Sequence, residues 1–354
     1  MSHRRSRFLT VLGSTLVLPL VSITASLGDT VTLTSDATTK GAAGGLIRGT
    51  VTSESPARIE VKLGNTTTPI PTNEIVSISY DAHPASLDQA QAKEAANALA
   101  EAADLYKKAA TEAATKPFIA EDATFGQARI LSEMAMNDAS KAAEATSILE
   151  GFVRTYKAGR HIGPALETLA DLQIARENYP AVDQTLAQLA QLPQFNDRAA
   201  LIRIKVLTKK GQLDQAVAEL DRAIAAAPEG SAKRRDAQLS KAENLLIQKK
   251  FPDAEAIVRS VIKDAAPEDA ATQAAAHNTL GDCLRAAGKQ RDALFAYYHT
   301  DLLFSRQKDE HARALARIAQ LWRELSRPDR ADETMERLRQ EYPRSPFAST
   351  PAPK

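Results

Sequence analysis

The chain has 354 residues, a formal net charge of +1, 5% aromatic residues and one cysteine, Cys283. A charge this balanced provides no basic field for nucleic acid and no acidic tail, and so few aromatics leave no platform for stacking bases. A single thiol cannot close an intramolecular disulfide, so stability must come from packing.

The N-terminus reads as an export signal. His3, Arg4, Arg5 and Arg7 form a positive segment, and Phe8 to Leu20 is largely apolar. Ser26-Leu27-Gly28 then sets small residues at the −3 and −1 positions of a cut before Asp29. Phe8 to Leu27 approaches the ~20 residues that a spanning helix needs. Pro19 and the interspersed small polar residues favour cleavage over retention as an anchor. A signal peptide over 1–28 sends the chain to the periplasm or cell envelope of a bacterium; retention of the segment leaves a membrane tether.

Residues 29–82 have the texture of a small β domain. Val31 and Leu33 alternate with Thr30 and Thr32, and Ile47, Gly49 and Val51 with Arg48, Thr50 and Thr52. Ile59, Val61 and Leu63 alternate with Glu60 and Lys62, and Val76, Ile78 and Tyr80 with Ser77 and Ser79. Period-two alternation in short runs predicts half-buried antiparallel strands. Turn signals lie at Gly41 to Gly45, Ser55-Pro56 and Gly64-Asn65, and Pro69 and Pro71 mark an edge. Four or five short strands in this length suggest a small closed barrel, because closure removes exposed edges. The run from Ile47 to Ile78 resembles a small SH3-like or Sm-like barrel, which implies a docking or capping role.

Residues 83–345 carry a repeated pattern of a small residue, a large one four positions on and an apolar one three beyond that. It reads Ala102, Tyr106, Ala109; Ala145, Leu149, Phe152; Val182, Leu186, Leu189; Ala216, Leu220, Ala223; Ala254, Val258, Val261; Ala293, Tyr297; and Ala331, Met335, Leu338. The first and second of these positions share one helix face, and the small residue lets a second helix approach closely. The clearest preceding helix reads His277-x2-Leu280-Gly281-x2-Leu284, ending at Gly288, and the next reads Leu315-x2-Ile318-Ala319-x2-Trp322. The first copy is blurred, since Leu87 to Ala114 also reads as one continuous helix. Together these motifs resemble the tetratricopeptide repeat, W-x2-L-G-x2-Y…A-x3-F…P. About seven copies imply a mostly α fold: a right-handed solenoid behind the β domain, with a disordered tail over 346–354.

No residue set calls for chemistry. There is no G-x-S-x-G and no phosphate-binding loop; Gly41 to Gly45 lacks the following helix and Lys-Ser/Thr. His277 and Cys283 are six apart and face different ways on a helix, so no metal is expected, and no motif asks for a cofactor. The chain reads as a non-enzyme. In the resembled family, the first helix of each pair lines an inner groove. Carried over, this implies partner-binding roles for Glu167, Asp171, Lys205, Lys209, Glu243, Asn278, Asp282, Arg285, Arg313, Gln320 and Arg323. Such a mixed-charge stripe suits a protein or peptide partner; an ordinary solvated helix face accounts for the same residues.

Overall fold

The computed structural model describes residues 28–39 and 45–348. The export segment and most of the Gly41–Gly45 loop therefore lie outside the described residues. Five strands come first: β1 (Asp29–Leu33), β2 (Leu46–Glu54), β3 (Arg58–Leu63), β4 (Thr66–Pro71) and β5 (Ile75–Ser79). All pairings are antiparallel, in the order β4-β3-β2-β1-β5. The edge strands β4 and β5 are not paired with each other, so the ladder is open where the sequence suggested closure. Pro69 and Pro71 fall on the edge strand β4, where a missing N–H costs no ladder bond.

The expected alternation buries Val31, Leu33, Val51, Ile59, Val61 and Ile78, but it fails at two positions. Leu63 is 68% exposed, at the end of β3 where the chain turns through Gly64 with φ +60°. Val76 is 64% exposed because of a bulge: Thr32 pairs with Ser77 and Leu33 with Ile75. The extra residue is Val76, which is thrown outward.

Fourteen helices follow among the described residues, and they form seven hairpins. The pairs are α1 (Ala85–Ala95) with α2 (Leu99–Glu112), α3 (Pro117–Asn137) with α4 (Ala142–Thr155), and α5 (Ile162–Ala175) with α6 (Tyr179–Leu189). Then come α7 (Asn196–Lys209) with α8 (Leu213–Ala226), α9 (Ala232–Ile247) with α10 (Phe251–Asp264), α11 (Ala270–Ala286) with α12 (Gln290–Leu303), and α13 (Lys308–Glu324) with α14 (Pro328–Glu341). The repeated motif sits on the even helices. All seven of its first residues, Ala102, Ala145, Val182, Ala216, Ala254, Ala293 and Ala331, are fully buried. The large residue that follows each is buried as well. Odd helices pack on their odd neighbours along much of the array, α3 on α5, α5 on α7, α9 on α11 and α11 on α13. That is the arrangement of a solenoid. The close approach is direct at Gly281, where a Cβ would stand 2.4 Å from the Tyr297 ring.

The turns repeat as faithfully as the helices. Asn97, Glu177, Gly211, Lys249, Gly288 and Ser326 all have positive φ, between +55° and +76°, at the end of an odd helix. In each case the next N–H donates five residues back, as from Ala98 to the Lys93 carbonyl and from Lys250 to that of Leu245. This is the Schellman ending, which satisfies the last orphan carbonyls of a helix. Asn97 thus splits the segment that the sequence left readable as one helix, and two hairpins get by with Gly where four do not. A left-handed conformation costs a non-glycine residue ~1–2 kcal/mol. Glu177→Gly, Lys249→Gly and Ser326→Gly are each expected to raise unfolding free energy by about 1 kcal/mol, read in urea titrations.

The apolar core is not continuous. One cluster runs from Val31 in the sheet to Val206 in α7, and another from Leu239 in α9 to Leu321 in α13. Between them stands a small cluster of Ile204, Ala216, Leu220 and Ala237. On α7, Arg203 occupies a position that the repeat pattern gives to leucine, and it is exposed. The tail expected from 346 begins with packed residues. Phe347 and Ala348 lie against Leu315, Met335 and Leu338, and 349–354 are outside the described residues.

Candidate functional site

Odd helices present charges to one another at the spacing of the repeat. On α5, Glu167 faces Arg198 at 3.7 Å, and Asp171 accepts a hydrogen bond from Lys205 of α7 at 2.6 Å. Asp197 of α7 accepts from Lys233 of α9 at 2.6 Å. Arg235 of α9 donates to Asp269, which caps α11, at 2.6 Å. Asp171 and Lys205 are 34 apart, as are the turns at Glu177 and Gly211 that end their helices, so these two like positions carry opposite charge. Each of the four contacts forms a rung between neighbours.

The densest part lies on α9, α11 and α13. Arg313 reaches Asp282 at 2.8 Å and Glu243 at 3.0 Å, the latter from two hairpins away. Asp282 also holds Arg317 at 3.0 Å and accepts from the Tyr297 hydroxyl at 2.7 Å. Arg285 meets Glu324 at 2.9 Å. Burial works against the charge of Arg313, but Glu243, Asp282 and Glu310 outweigh it and hold the guanidinium above its usual range. Burial raises the Glu167 carboxyl, against the pull of Arg198.

The predicted residues therefore divide into three kinds. Glu243, Asp282 and Arg313 come together in one network, and Arg285 forms a separate pair with Glu324. Glu167, Asp171 and Lys205 form rungs farther up the array. Of the others, Asn278 is 0% exposed and donates to the backbone and side chain of Glu310, which pairs with Arg313; Gln320 accepts from Arg317, which pairs with Asp282; and Arg323 turns to Asp332 within its own hairpin. Lys209 is exposed and makes no ion pair or hydrogen bond among the described residues. Arg317 and Glu310 were missed, although Arg317 is one helical turn from Arg313 and shares its face.

A second polar cluster joins the sheet to the helices. Arg160, in the turn between α4 and α5, donates to Asp122 of α3 at 2.6 Å and to Glu54 of β2 at 3.4 Å. Tyr80 donates to the same Glu54 carboxylate. His161 bonds Asp122 at 2.8 Å through Nε2, and its backbone N–H donates to Glu121 at 3.0 Å. Burial pushes Glu54 up and Glu121 up to about 7, and it pushes His161 down. Burial also opposes ionisation of Asp122, but its bonds to His161 and Arg160 prevail and hold it below the usual carboxylate range. The cluster draws on elements up to 106 residues apart, so no local sequence signal announces it.

Among the described residues, no group of three or more His, Cys, Asp or Glu is placed to hold a metal ion, and no helix is long and apolar enough to cross a membrane.

No family model matches the chain, and no curated protein matches it. Among solved structures it is similar to a tetratricopeptide repeat protein from Parabacteroides merdae, at 13% identity over 73% of this chain and 92% of that one, with a TM-score of 0.49. It is similar to the quorum sensor NprR from B. thuringiensis in its apo form, at 13% identity over 72% and 75%, with a TM-score of 0.47. It is also similar to PilW, a type IV pilus biogenesis factor, at 17% identity over 62% and 96%, with a TM-score of 0.39. None of these likenesses carries an argument about function. The buried motif on every even helix and the recurring Schellman turns give the fold on their own: a tetratricopeptide-type solenoid of seven hairpins among the described residues, headed by a five-stranded antiparallel sheet.

Proposed function

We propose that the chain is a non-catalytic protein-binding scaffold of the bacterial cell envelope, holding a partner protein or peptide on the face formed by its odd helices. The observation that supports this is the row of charges on α5 to α13, set at the repeat spacing. Most are already bonded to each other, so an incoming chain would exchange partners along the row instead of meeting bare charge. Lys209, on α7 within this row, is exposed and makes no ion pair or hydrogen bond among the described residues. In this reading 1–28 is removed on export, 29–82 docks or caps the array, 83–345 forms the repeats and 346–354 is a tail.

Lys209→Glu tests the face most cleanly, because it breaks no rung; Lys205→Glu also sets a carboxylate against Asp171. In pull-downs from envelope extract, Lys209→Glu is expected to reduce capture of a wild-type partner several-fold, and the double variant further. Unchanged capture by both would reject this part of the face. A second reading, a membrane-tethered component of an envelope complex, rests on the apolar run from Phe8 to Leu27. Intact mass of the purified protein separates the two: a chain that starts at Asp29 has no tether.

A further inference from the structure

The side of α11 turned away from Asp282 carries a different kind of site. There α10, α11 and α12 border an open pocket of about 410 Å³, floored by Ile262, Leu280 and Leu284 and walled by Phe295, His277 and His299. That is within the ~300–1,000 Å³ of ordinary ligand pockets. The sequence accounts for it. His277 occupies the position where the repeat pattern carries tryptophan, so a smaller ring stands where a large one would fill the space. The His277 ring stacks on His299 at 4.6 Å. Its Nδ1 is shielded from solvent and has no hydrogen-bond partner. Burial, with His299 adding to it, pushes the His277 pKa down to about 4, so the ring is neutral at pH 7 and adds no charge to the wall.

The surface beside the cavity is apolar and uncovered. Phe295 is 67% exposed, and Leu302 and Leu303 are 74% and 68% exposed. They lie seven and eight residues beyond Phe295 on α12, so they continue its face for two turns. Exposed side chains of this size in one stripe mark an interaction site. Two bases, Arg259 and Lys263, line the pocket from α10, and Arg291 stands outside that lining, on α12 one turn before Phe295. Arg259 is bonded to Glu255, whereas Lys263 and Arg291 are exposed and make no ion pair or hydrogen bond among the described residues. One carboxylate, Asp292, shares the rim.

We propose that the groove between α10 and α12 binds an acidic amphipathic helix of a partner protein, which inserts one Trp or Tyr side chain into the cavity beside His277 and lays carboxylates against Lys263 and Arg291. A flat aromatic ring matches the apolar floor and the stacked imidazoles that wall it. A helix matches a stripe two turns long, in the manner of helix-in-groove recognition. The basic rim selects the acidic flank. The site is independent of the odd-helix face.

The test uses the full-length protein and a fluorescein-labelled helical peptide with one Trp, two Leu on the same face and Glu on the flanks, followed by anisotropy. Saturable binding at micromolar concentration is expected. It should weaken about tenfold with Lys263→Glu/Arg291→Glu, and as much when the peptide Trp becomes Ala. His277→Trp fills the cavity and should abolish binding; because that change risks the fold, the exposed double charge reversal serves as the fold-neutral arm, checked by circular dichroism. Lys209→Glu should leave binding unchanged. No binding, equal binding of a Lys-flanked peptide, or insensitivity to both site variants would overturn the proposal. So would a concentration-dependent dimer lost with Phe295→Ser, which would make a second copy of this chain the occupant.

Discussion

Arg160→Ala is expected to lower unfolding free energy by ~3–5 kcal/mol, which is the range seen when one partner of a buried ion pair is removed. The reason is what stays behind. The Glu54 side chain is 1% exposed and that of Asp122 20%, and among the described residues Arg160 is the one cation bonded to both. Without it, two carboxylates remain out of water, together with Glu121, which burial already disfavours as an anion. The loss should show in urea titrations at pH 7 and shrink in acid, where the carboxyls become neutral. Replacing all three charged groups together, as Arg160→Met, Glu54→Gln and Asp122→Asn, should recover much of it, because paired removal leaves no orphan charge. A cost under about 1 kcal/mol for Arg160→Ala alone would mean that water reaches the joint between sheet and helices.

Glu121→Gln is expected to change how stability depends on pH. The Glu121 carboxyl is 4% exposed, its pKa is raised from 4.5 to about 7 by burial, and its Oε1 accepts from the His161 N–H. A carboxyl whose folded pKa lies above its unfolded value binds its proton more tightly in the folded state. Its contribution is therefore complete below about pH 4.5 and is lost as pH rises toward 7. A gap of this size corresponds to about 3 kcal/mol. Asp122 and His161 act in the opposite sense, losing their contributions as pH falls, so the wild-type curve alone mixes these effects. The difference between variant and wild type isolates Glu121. Gln keeps an acceptor for the His161 N–H and carries no charge, so the variant should gain on wild type between about pH 5 and 7 and level off above that. A difference curve flat across that interval would rule out a buried, proton-holding Glu121. Space is also tight: a Cβ at Gly159 would stand 2.2 Å from this carboxylate, so the loop before α5 is fitted to it.

The helical array was legible because its signal is local. A small residue with a large one four positions on is visible in any stretch of fourteen residues, and every such pair is buried. The Schellman turns were legible only at Gly211 and Gly288. Glu177, Lys249 and Ser326 have the same backbone without the residue that announces it, and Asn97 does so inside a segment rich in alanine. The strands were legible by alternation until the bulge at Val76 shifted the phase, which depends on pairing and not on sequence period. The stripe of candidate residues was placed by analogy of position. Its internal bonding was not, because rungs between hairpins depend on the angle at which one hairpin sits on the next. The joint around Arg160 gave no signal at all, since its members meet only after the sheet has docked. The cavity at His277 was visible only as a departure from pattern, a modest ring where a large one belonged.

The last helix does not end in open solvent. Arg344, just beyond α14, bonds Glu133 on α3 through Nε at 2.6 Å, joining residues 211 apart. Everything from the third hairpin to the seventh is thereby bracketed between two anchored points, like a spring whose far end is hooked to its near coil. No hairpin in between can change its tilt without a compensating change in another while the hook holds. Yet the hook is a single, partly exposed ion pair, of a kind worth about 1 kcal/mol or less. Salt alone should shift the balance between the latched and the sprung coil, and the thin apolar seam at Ile204, Ala216, Leu220 and Ala237 is where the coil has least to resist it.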